Sequence, residues 1–323
     1  MVENKISRRE FTTRCLKAAG LTAFTGGAGY LLYSKNPISE KSKQLVKLPD
    51  FSVPPKQGQT MAVVHNQGRS DAIRAALKML GGIERFIKKG DRVLIKPNVG
   101  FASPPMLSAT THPEAVETVV RMCYRAGAEK VSITDNPINA PSSCFKISGI
   151  EDVAKKTNAK IIPPEEHLFA DTTLQNGQLI ENWPVLYQPV EECDKLIGIA
   201  PVKHHHRSGA TMTMKNWYGL LGGRRNLFHQ NINTIISELA RLVKPTLVIL
   251  DGTTTMMTNG PTGGSLSDLK QTNTLIAGCD MVAVDTFGAT LLGLKPSDLP
   301  YLGKAAAAGA GTTDYESLKP VYS

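Results

Sequence analysis

The chain has 323 residues, of which 41% are hydrophobic and 20% are charged, a composition that supports a globular fold and excludes extensive disorder. Its formal charge is +9, of which about +5 remains without residues 1–35, a mild excess that suits a small anionic ligand or simply solubility. Because no basic run is interleaved with aromatic residues, we do not expect nucleic-acid binding. The five cysteines show no Cys-x-x-Cys spacing, which argues against an iron–sulfur cluster motif and a structural zinc site.

Residues 1–35 have the features of an export signal. Residues 7–11 read Ser-Arg-Arg-Glu-Phe, and a weakly apolar stretch rich in glycine and alanine follows from Leu16 to Tyr33. Paired arginines before a short apolar region are typical of a signal for the twin-arginine translocation machinery, which carries folded proteins. The alternative is a chance arginine pair in a solvated helix. The apolar stretch is also just long enough to span a bilayer as an N-terminal membrane anchor.

These features predict a periplasmic protein, or one on the outer face of the cytoplasmic membrane. We expect residues 1–35 to be a twin-arginine signal or anchor. The Lys-, Ser- and Pro-rich residues 36–58 then form a linker, and residues 59–323 form a single α/β domain.

Strand and helix patterns alternate from residue 60 onwards. The predicted strands are Met61–Val64, Arg92–Ile95, Val131–Thr134, Lys160–Ile162, Leu196–Val202, Thr246–Leu250 and Thr274–Ala277. The predicted helices begin at Asp71 and after Thr111, or cover Ile150–Lys156, Ile232–Val243, Asp280–Leu292 and Pro300–Ala308. This alternation predicts an α/β fold, with a mainly parallel sheet and helices on both of its faces. A hairpin turn at Asn176-Gly177 and an added strand at Trp183–Val190 predict a small antiparallel insertion near residues 165–194.

The densest group of ligand-type side chains lies between Lys195 and His229, directly after a predicted buried strand. Its members are Lys203, His204, His205, His206, Arg207, Lys215, Asn216, Gly219, Gly222, Gly223, Arg224, Arg225 and His229. Ligands of open α/β sheets bind outside the carboxyl ends of the strands. Since glycines let backbone N–H groups approach a ligand and the cations add charge, the segment predicts an anion cradle. The alternative is a flexible basic loop, and no Walker or dinucleotide fingerprint is present.

Three other predicted strands also end in polar residues. Lys96 and Asn98 follow one strand, Asp135 follows the next, and Asp251 follows a later one. Because the carboxyl ends of parallel strands meet at one edge of a sheet, these side chains are candidates for the same site. The alternative for each carboxylate or amide is a cap on the next helix or turn.

Several of these side chains are suitable ligands for a divalent metal. Side chains alternate along an extended segment, so at most two of His204, His205 and His206 converge on one metal without a bend. Asp135, Asp251 or His112 could complete a site of three or four ligands. Imidazoles that only hydrogen-bond a phosphate or carboxylate are the alternative. His112, at the start of a predicted helix, either shares a ligand with the free N–H groups of that helix or is a surface histidine.

Short motifs along the chain together resemble the domain-of-unknown-function family numbered 362, over about residues 60–315. They are Lys96-Pro97-Asn98, Thr111-His112-Pro113, the strand that leads to Asp135, Pro201-x-Lys203-x-His205, Lys215-Asn216-x-x-Gly219, Asp251-Gly252, Gly260-Pro261-x-Gly263 and Asp280-x-Val282-Ala283-Val284-Asp285. The resemblance implies that the shared polar positions form one site, but the family name carries no established activity. Many members carry a ferredoxin-like cysteine module that this chain lacks, so no redox role is implied.

Asp285 lies in a predicted helix that is apolar nearly all round. A buried carboxylate is costly unless a cation or metal neutralises it. The candidate partners are Lys96, Lys203 and Lys215.

Two functional hypotheses follow. The first is an exported metal- or cofactor-dependent enzyme acting on an anionic small molecule, and the second is a non-catalytic cofactor- or metabolite-binding protein of the cell envelope. The predicted catalytic residues are Lys203, Lys215, His112 and Asp135. The predicted anion-binding residues are Lys96, Asn98, Asn216, Gly219, Gly222, Gly223, Arg224 and Arg225. The predicted metal ligands are His205, His206 and Asp251.

Overall fold

The computed structural model describes residues 7–32, 45–54, 56 and 59–323, which fall into two compact units, Met1–Ile38 and Ser39–Ser323. In the first unit, helix α1 (Arg8–Leu32) is exposed along its described side chains. Among the described helices, none is both long and apolar enough to cross a membrane. The parts of the predicted signal and linker at residues 1–6, 33–44, 55 and 57–58 lie outside the described residues.

Residues 45–54, which the sequence predicts as part of a linker, pack against the rest of the second unit. The backbone N–H groups of Val46 and Phe51 each donate a hydrogen bond of 2.9 Å to it. The side chains of Leu48 and Phe51 are buried. Burying a large apolar side chain contributes roughly 1.5–3 kcal/mol, so this stretch belongs to the domain and is not a free linker.

The second unit is organised around one large sheet. In chain order the strands are β1 (Met61–His65), β2 (Arg92–Pro97), β3 (Lys130–Ile133), β4 (Lys160–Ile161), β5 (Phe169–Thr172), β6 (Trp183–Leu186), β7 (Lys195–His205), β8 (Gly209–Thr211), β9 (Leu247–Met256), β10 (Leu269–Gly278) and β11 (Val321–Tyr322). Across the sheet the order is β11-β1-β10-β9-β7-β2-β3-β4, with β8 paired to β7. Strands β9, β7, β2, β3 and β4 are mutually parallel, whereas β10 is antiparallel to both of its neighbours. Strands β5 and β6 form a separate antiparallel pair, so the predicted α/β fold with a small antiparallel insertion is confirmed.

Helices cover both faces of this sheet, as predicted. They are α2 (Arg69–Met79), α3 (Pro113–Arg125), α4 (Pro141–Ile147), α5 (Ile150–Thr157), α6 (Gln188–Glu191), α7 (Thr213–Asn216), α8 (Ile232–Leu242), α9 (Met281–Leu291) and α10 (Pro300–Ala307). Side chains of α2, α3 and α5 belong to one hydrophobic core and those of α8, α9 and α10 to the other. Along β7, Leu196 and Ala200 enter one core while Ile197 and Ile199 enter the other, the alternation that a strand buried on both faces requires.

Strand β7 is longer than its apolar run. Leu196–Val202 predicts a strand that ends where the charges begin, but pairing with β8 continues the strand to His205. In that pairing Lys203 lies opposite Thr211, and His205 lies opposite Gly209. Because alternate side chains share a face, the extension presents Lys203 and His205 on the same side of the strand.

The strand predicted at Trp183–Val190 ends early. Strand β6 stops at Leu186, and the short helix α6 begins at Gln188. Pro189 lies in the first turn of α6, where a missing backbone N–H costs nothing.

Glu238 on α8 fixes the insertion to the main domain. Its carboxylate accepts hydrogen bonds from the backbone N–H groups of Gln178 at 2.5 Å, Leu179 at 3.2 Å and Ile180 at 3.0 Å. The Glu238 side chain is buried. Three otherwise unsatisfied donors of the insertion therefore depend on one anionic acceptor.

We expect Glu238→Gln to lower the free energy of unfolding by about 1–3 kcal/mol, because an amide NH₂ group replaces one acceptor oxygen opposite the fixed backbone N–H donors. Urea unfolding of the two proteins measures the difference. The exposed Glu181→Gln variant loses the same charge in the same region and should match the wild type. Equal stability of all three proteins would contradict the anchoring role.

Candidate functional site

A cavity of about 360 Å³ lies beyond the carboxyl ends of β2, β3 and β7. Ten of the residues predicted for the site line it: Lys96, Asn98, Asp135, Lys203, His205, His206, Lys215, Asn216, Gly219 and Arg225. Phe101, Arg207, Thr211, Tyr218 and His229 line it as well. The structure thus brings together side chains separated by more than a hundred positions, at the edge of the sheet where α/β proteins bind ligands.

Lys96 and Asp135 form a buried ion pair at the base of this cavity. Lys96 Nζ lies 2.7 Å from Asp135 Oδ1 and donates to the Pro97 carbonyl at 2.7 Å and to Asn216 Oδ1 at 2.9 Å. The other carboxylate oxygen of Asp135 accepts from the Val99 N–H at 2.6 Å. Burial lowers the pKa of Lys96, and the Asp135 carboxylate opposes that shift. Because three acceptors surround its ammonium group, Lys96 links β2 to Asp135 and to Asn216 of α7.

Lys203 enters the cavity from β7. Its Nζ donates to Asn98 Oδ1 at 3.1 Å and to the Ala109 carbonyl, and it lies 5.2 Å from the centre of the Phe101 ring. Burial, reinforced by the neighbouring Lys215 ammonium, lowers the pKa of Lys203 to about 7. Lys203 therefore bonds neutral acceptors and a ring face, and its charge stays available to an anion.

Lys215 differs from both other lysines. Its Nζ lies 5.3 Å from the centre of the Tyr218 ring, and among the described residues it has no hydrogen-bond acceptor and no carboxylate partner. Only 8% of the residue is exposed. Burial, with a smaller contribution from the Arg225 guanidinium, lowers the pKa of Lys215 to about 7. Near neutral pH a large fraction of this amine is unprotonated.

Asp285 positions Lys215 through the backbone of α7. Its carboxylate accepts from the N–H groups of Thr213 at 2.8 Å and Met214 at 2.9 Å, and from the Thr213 hydroxyl at 2.5 Å. Burial raises the pKa of Asp285 to about 7. The sequence predicts a lysine partner for this carboxylate, and that prediction is wrong: the free amides at the start of a short helix are the partner.

His205 is held in one tautomer. Its Nδ1 accepts hydrogen bonds from the backbone N–H groups of Arg207 at 3.1 Å and Ser208 at 3.3 Å, so the neutral ring carries its proton on Nε2. Burial, followed by the Lys215 charge, lowers the pKa of His205 to about 2. The ring is thus a neutral N–H donor. A metal ligand needs a bare ring nitrogen, so these contacts oppose the predicted role of His205 as a ligand.

Two further imidazoles stack near His205. The His206 ring centre lies 4.9 Å from that of His205, and the His229 ring centre lies 6.0 Å from it. His206 Nδ1 is 3.4 Å from the Gly260 carbonyl, and His229 Nδ1 is 3.2 Å from the Asn226 carbonyl. A neutral ring that donates through Nδ1 keeps a lone pair on Nε2, so these two histidines are candidate proton acceptors.

Arg225 is engaged with backbone. Its guanidinium donates to the carbonyl oxygens of Asn136 at 2.6 Å, Pro137 at 3.1 Å, Tyr218 at 3.1 Å and Leu221 at 3.2 Å. These bonds join the loop after β3 to the loop after α7. Its charge contributes to the potential of the cavity, but its NH1 and NH2 groups are already used.

The structure places five predicted site residues away from the cavity lining: His112, Asp251, Gly222, Gly223 and Arg224. Asp251 Oδ2 lies 2.6 Å from Arg69 Nε, so this carboxylate neutralises an arginine. His112 caps α3 by accepting from the Glu114 N–H at 3.3 Å, and burial, followed by the Arg69 charge, lowers the pKa of His112. Within the described part of the chain, no group of three or more His, Cys, Asp or Glu side chains is arranged to hold a metal ion.

Gly222 and Gly223, which lie outside the cavity lining, have structural roles next to the insertion. Gly222 donates its N–H to the Pro184 carbonyl at 2.8 Å, and its own carbonyl accepts from Trp183 Nε1 at 3.2 Å. A Cβ at Gly222 would lie 2.7 Å from the Phe169 ring. Gly223 is exposed with a φ of 57°, a turn conformation that glycine adopts readily. Both positions are therefore explained by packing and backbone geometry.

Sequence reasoning assigned no role to Thr211, Phe101 or Tyr218. Thr211 Oγ1 is buried at the cavity and has no hydrogen-bond partner within the described chain, so a bound ligand would satisfy it. Strand β8, which carries Thr211, is only three residues long and leaves no periodic signal. Tyr218 lies inside the basic segment and could have been selected as a ring that contacts a cation.

The Lys96–Asp135 pair requires glycine at 219. A Cβ there would overlap Asp135 Oδ1 and lie 2.7 Å from Lys96 Nζ. We expect Gly219→Ala to lower the free energy of unfolding by about 1–3 kcal/mol through overpacking, measured by chemical denaturation. Gly100→Ala also adds a methyl group at the cavity, but its Cβ would meet its nearest atom at 4.0 Å. A Gly219→Ala protein as stable as Gly100→Ala would contradict this account.

Comparison with known proteins identifies the family. A thylakoid-associated protein from Synechocystis sp. is 26% identical over 259 residues, which cover 77% of this chain and 78% of that protein. The lactate racemase apoprotein from Thermoanaerobacterium thermosaccharolyticum aligns with a TM-score of 0.40 and 15% identity over 77% of this chain and 60% of its own. A protein from Thermotoga maritima aligns with a TM-score of 0.35 and 13% identity over 58% of this chain and 52% of its own. The profile of the domain of unknown function DUF362 matches residues 93–290, and the chain belongs to this family.

Proposed function

We propose that this protein is an enzyme that binds a small anionic substrate in the cavity beyond β2, β3 and β7. The observation that carries the proposal is the meeting of Lys203 and Lys215 in one buried cavity, with neither ammonium group paired to a carboxylate among the described residues. Two lysines so placed repel each other and lose hydration. A bound anion would remove both costs.

The charge balance of the cavity supports an anion. Asp135 is the one carboxylate among the lining residues, and it is already paired with Lys96. At an effective dielectric constant of about 20, two unit charges 4 Å apart interact by about 4 kcal/mol. An anion near Lys203 and Lys215 therefore gains several times the free energy of an exposed surface pair.

Neutral donors complete the site. His205 offers Nε2–H and Thr211 offers an unpaired hydroxyl. Such donors are suited to carboxylate or phosphate oxygens, because they add hydrogen bonds without adding mutual repulsion.

Catalysis is favoured over simple binding by Lys215. A lysine whose pKa lies near neutrality can give up or accept a proton under ordinary conditions. The alternative, a binding protein of the cell envelope, is supported by the hydrogen bonds that fix Lys96, Asn216 and Arg225 before any ligand arrives. A divalent metal is not part of the proposal, because the Nε2 proton of His205 would have to be displaced.

Export is a separate part of the proposal. Helix α1 begins with the arginine pair Arg8-Arg9, and its described side chains are exposed, so a receptor could contact them. The Synechocystis relative carries a name that associates it with thylakoids, which supports a role at a membrane. We propose that the chain leaves the cytoplasm by the twin-arginine route and functions at the envelope.

We expect the protein to bind inorganic sulfate, a probe whose charge stays constant between about pH 6 and about pH 9. Lys203→Met or Lys215→Met should weaken binding about tenfold to a hundredfold, since each variant removes about 1.5–3 kcal/mol of charged hydrogen bonding. Because the pKa values of Lys203 and Lys215 lie at about 7, affinity should be constant below about pH 7 and fall above it as the amines lose their protons. Isothermal titration calorimetry measures both effects.

Two controls make this measurement decisive. Lys270→Met removes an exposed lysine of β10 and should bind sulfate like the wild type. Without ligand, Lys215→Met should be more stable than the wild type by about 1–4 kcal/mol near pH 7, because the unfolded chain holds the lysine proton at its ordinary pKa. That difference should shrink as the pH rises from about 7 to about 10. Equal sulfate affinity of Lys203→Met, Lys215→Met and Lys270→Met would refute the proposed site.

We expect the combined variant Arg8→Lys, Arg9→Lys to remain in the cytoplasm of a bacterial host with a twin-arginine system, while the wild type reaches the envelope fraction. Cell fractionation followed by immunoblotting measures the distribution. Arg14→Lys makes the same change within α1, outside the arginine pair, and should be exported normally. Identical fractionation of wild type and double variant would refute export by this route.

A further inference from the structure

The three cavity lysines differ in how many acceptors surround each amine. Lys96 Nζ has three oxygen acceptors, and Lys203 Nζ has two. Lys215 Nζ has none among the described residues and contacts only the Tyr218 ring. Lys96 directs its three N–H groups at fixed oxygens, and Lys203 directs two of its own in the same way. Among the described residues, Lys215 alone of the three can turn its amine toward a substrate without breaking a hydrogen bond to the protein.

We propose, building on the proposed function, that Lys215 is a nucleophile that condenses with the carbonyl carbon of a small anionic ketone or aldehyde to form an imine. The substrate class is thus an anion with a carbonyl group, either an oxo acid or a phosphorylated carbonyl compound. The cavity of about 360 Å³ accommodates a molecule of a few carbon atoms with its anionic group.

The surroundings of Lys215 suit this role. Lys203 lines the same cavity and can bind the anionic group, while the charge of Arg225 disfavours protonation of the Lys215 amine. The pKa of Lys215, lowered to about 7, supplies unprotonated amine near neutral pH. The backbone that carries Lys215 is fixed by Asp285, so the amine is held in place without being hydrogen-bonded itself.

The step is balanced without any oxidant or further reactant. The Lys215 lone pair forms a bond to the carbonyl carbon, and the carbonyl π electrons move to oxygen, which takes up the proton released by nitrogen. The nitrogen lone pair then forms the C=N double bond while the C–O bond breaks. The oxygen leaves as water after accepting a second proton, and the protonated imine carries one positive charge on nitrogen.

The neighbouring histidines have two different roles, hydrogen-bond donor and proton acceptor. His205, with Nδ1 bonded to backbone N–H groups, stays neutral and can only donate a hydrogen bond, which fits the substrate oxygen as negative charge develops on it. His206 and His229 keep an unprotonated Nε2 in their neutral forms and can exchange protons with the amine or the departing water.

Trapping with sodium borohydride tests the inference directly. The full-length protein is incubated with pyruvate or 2-oxoglutarate, with dihydroxyacetone phosphate in a second arm, and then reduced and digested for mass spectrometry. The peptide that contains Lys215 should gain the mass of the probe less one oxygen atom. The two arms distinguish a carboxylate from a phosphate as the anionic group. Lactate and 2-hydroxyglutarate, which carry a hydroxyl in place of the ketone, should leave no label.

Matched variants identify the reacting amine. Lys215→Arg keeps the positive charge but removes the primary amine, so labelling should fall on the order of tenfold or more. Lys270→Arg makes the same change at an exposed lysine of β10, outside the cavity, and should keep the label on Lys215. Thermal denaturation confirms that both variants are folded, and melting-temperature shifts caused by oxo and hydroxy acids report binding separately from bond formation.

Each outcome decides between the two proposals. Label on Lys215 that is lost in Lys215→Arg and retained in Lys270→Arg supports imine formation. Stabilisation by an oxo acid and its hydroxy acid alike, with no label on Lys215, overturns imine formation and leaves the anionic site intact. Failure of all probes and of sulfate to bind overturns the proposed function as well. Label spread equally over surface lysines also overturns the role of Lys215.

Discussion

The buried ion pair between Lys96 and Asp135 is the interaction on which the site depends. It joins the end of β2 to Asp135 in the loop after β3, and Asn216 links the same ammonium group to α7. Gly219 leaves the space that the pair occupies. Removing one partner of such a pair leaves an uncompensated charge and costs about 3–5 kcal/mol. The pair therefore fixes three elements whose side chains form the cavity.

This fixed framework lets the protein keep two buried lysines that are energetically unfavourable without a bound ligand. Lys203 and Lys215 are buried without a carboxylate partner among the described residues, and burial lowers the pKa of each to about 7. Asp285 holds α7 by its backbone, and Arg225 joins two loops through four carbonyl groups. Stability thus comes from satisfied polar groups around the cavity, while the cost of desolvation is concentrated in two amines inside it.

The sequence predicts the fold class and much of the site because both follow local rules. Alternating strand and helix patterns imply a parallel sheet, and the carboxyl ends of its strands deliver Lys96, Asp135 and the basic segment to one edge. The same rule wrongly places Asp251 in the site. Its carboxylate pairs with Arg69, which lies 182 positions away, and no local sequence pattern indicates that pair. The rule also fails for His112 because the residue caps its own helix. The sequence also does not predict where β7 ends, because its last residues depend on pairing with the three-residue strand β8.

Only the structure distinguishes the three cavity lysines by the acceptors around each amine. Lys96, Lys203 and Lys215 each stand near a predicted strand end or loop, and the sequence treats them alike. The groups around each amine differ. Lys96 has a carboxylate and two further oxygens, Lys203 has two neutral oxygens, and Lys215 contacts a single aromatic ring. An ammonium group that is fully hydrogen-bonded stabilises a fold, whereas a desolvated amine without acceptors is poised for proton transfer or attack on a carbonyl. The chemistry of this cavity is therefore determined less by which residues it contains than by which of their hydrogen bonds are left unmade.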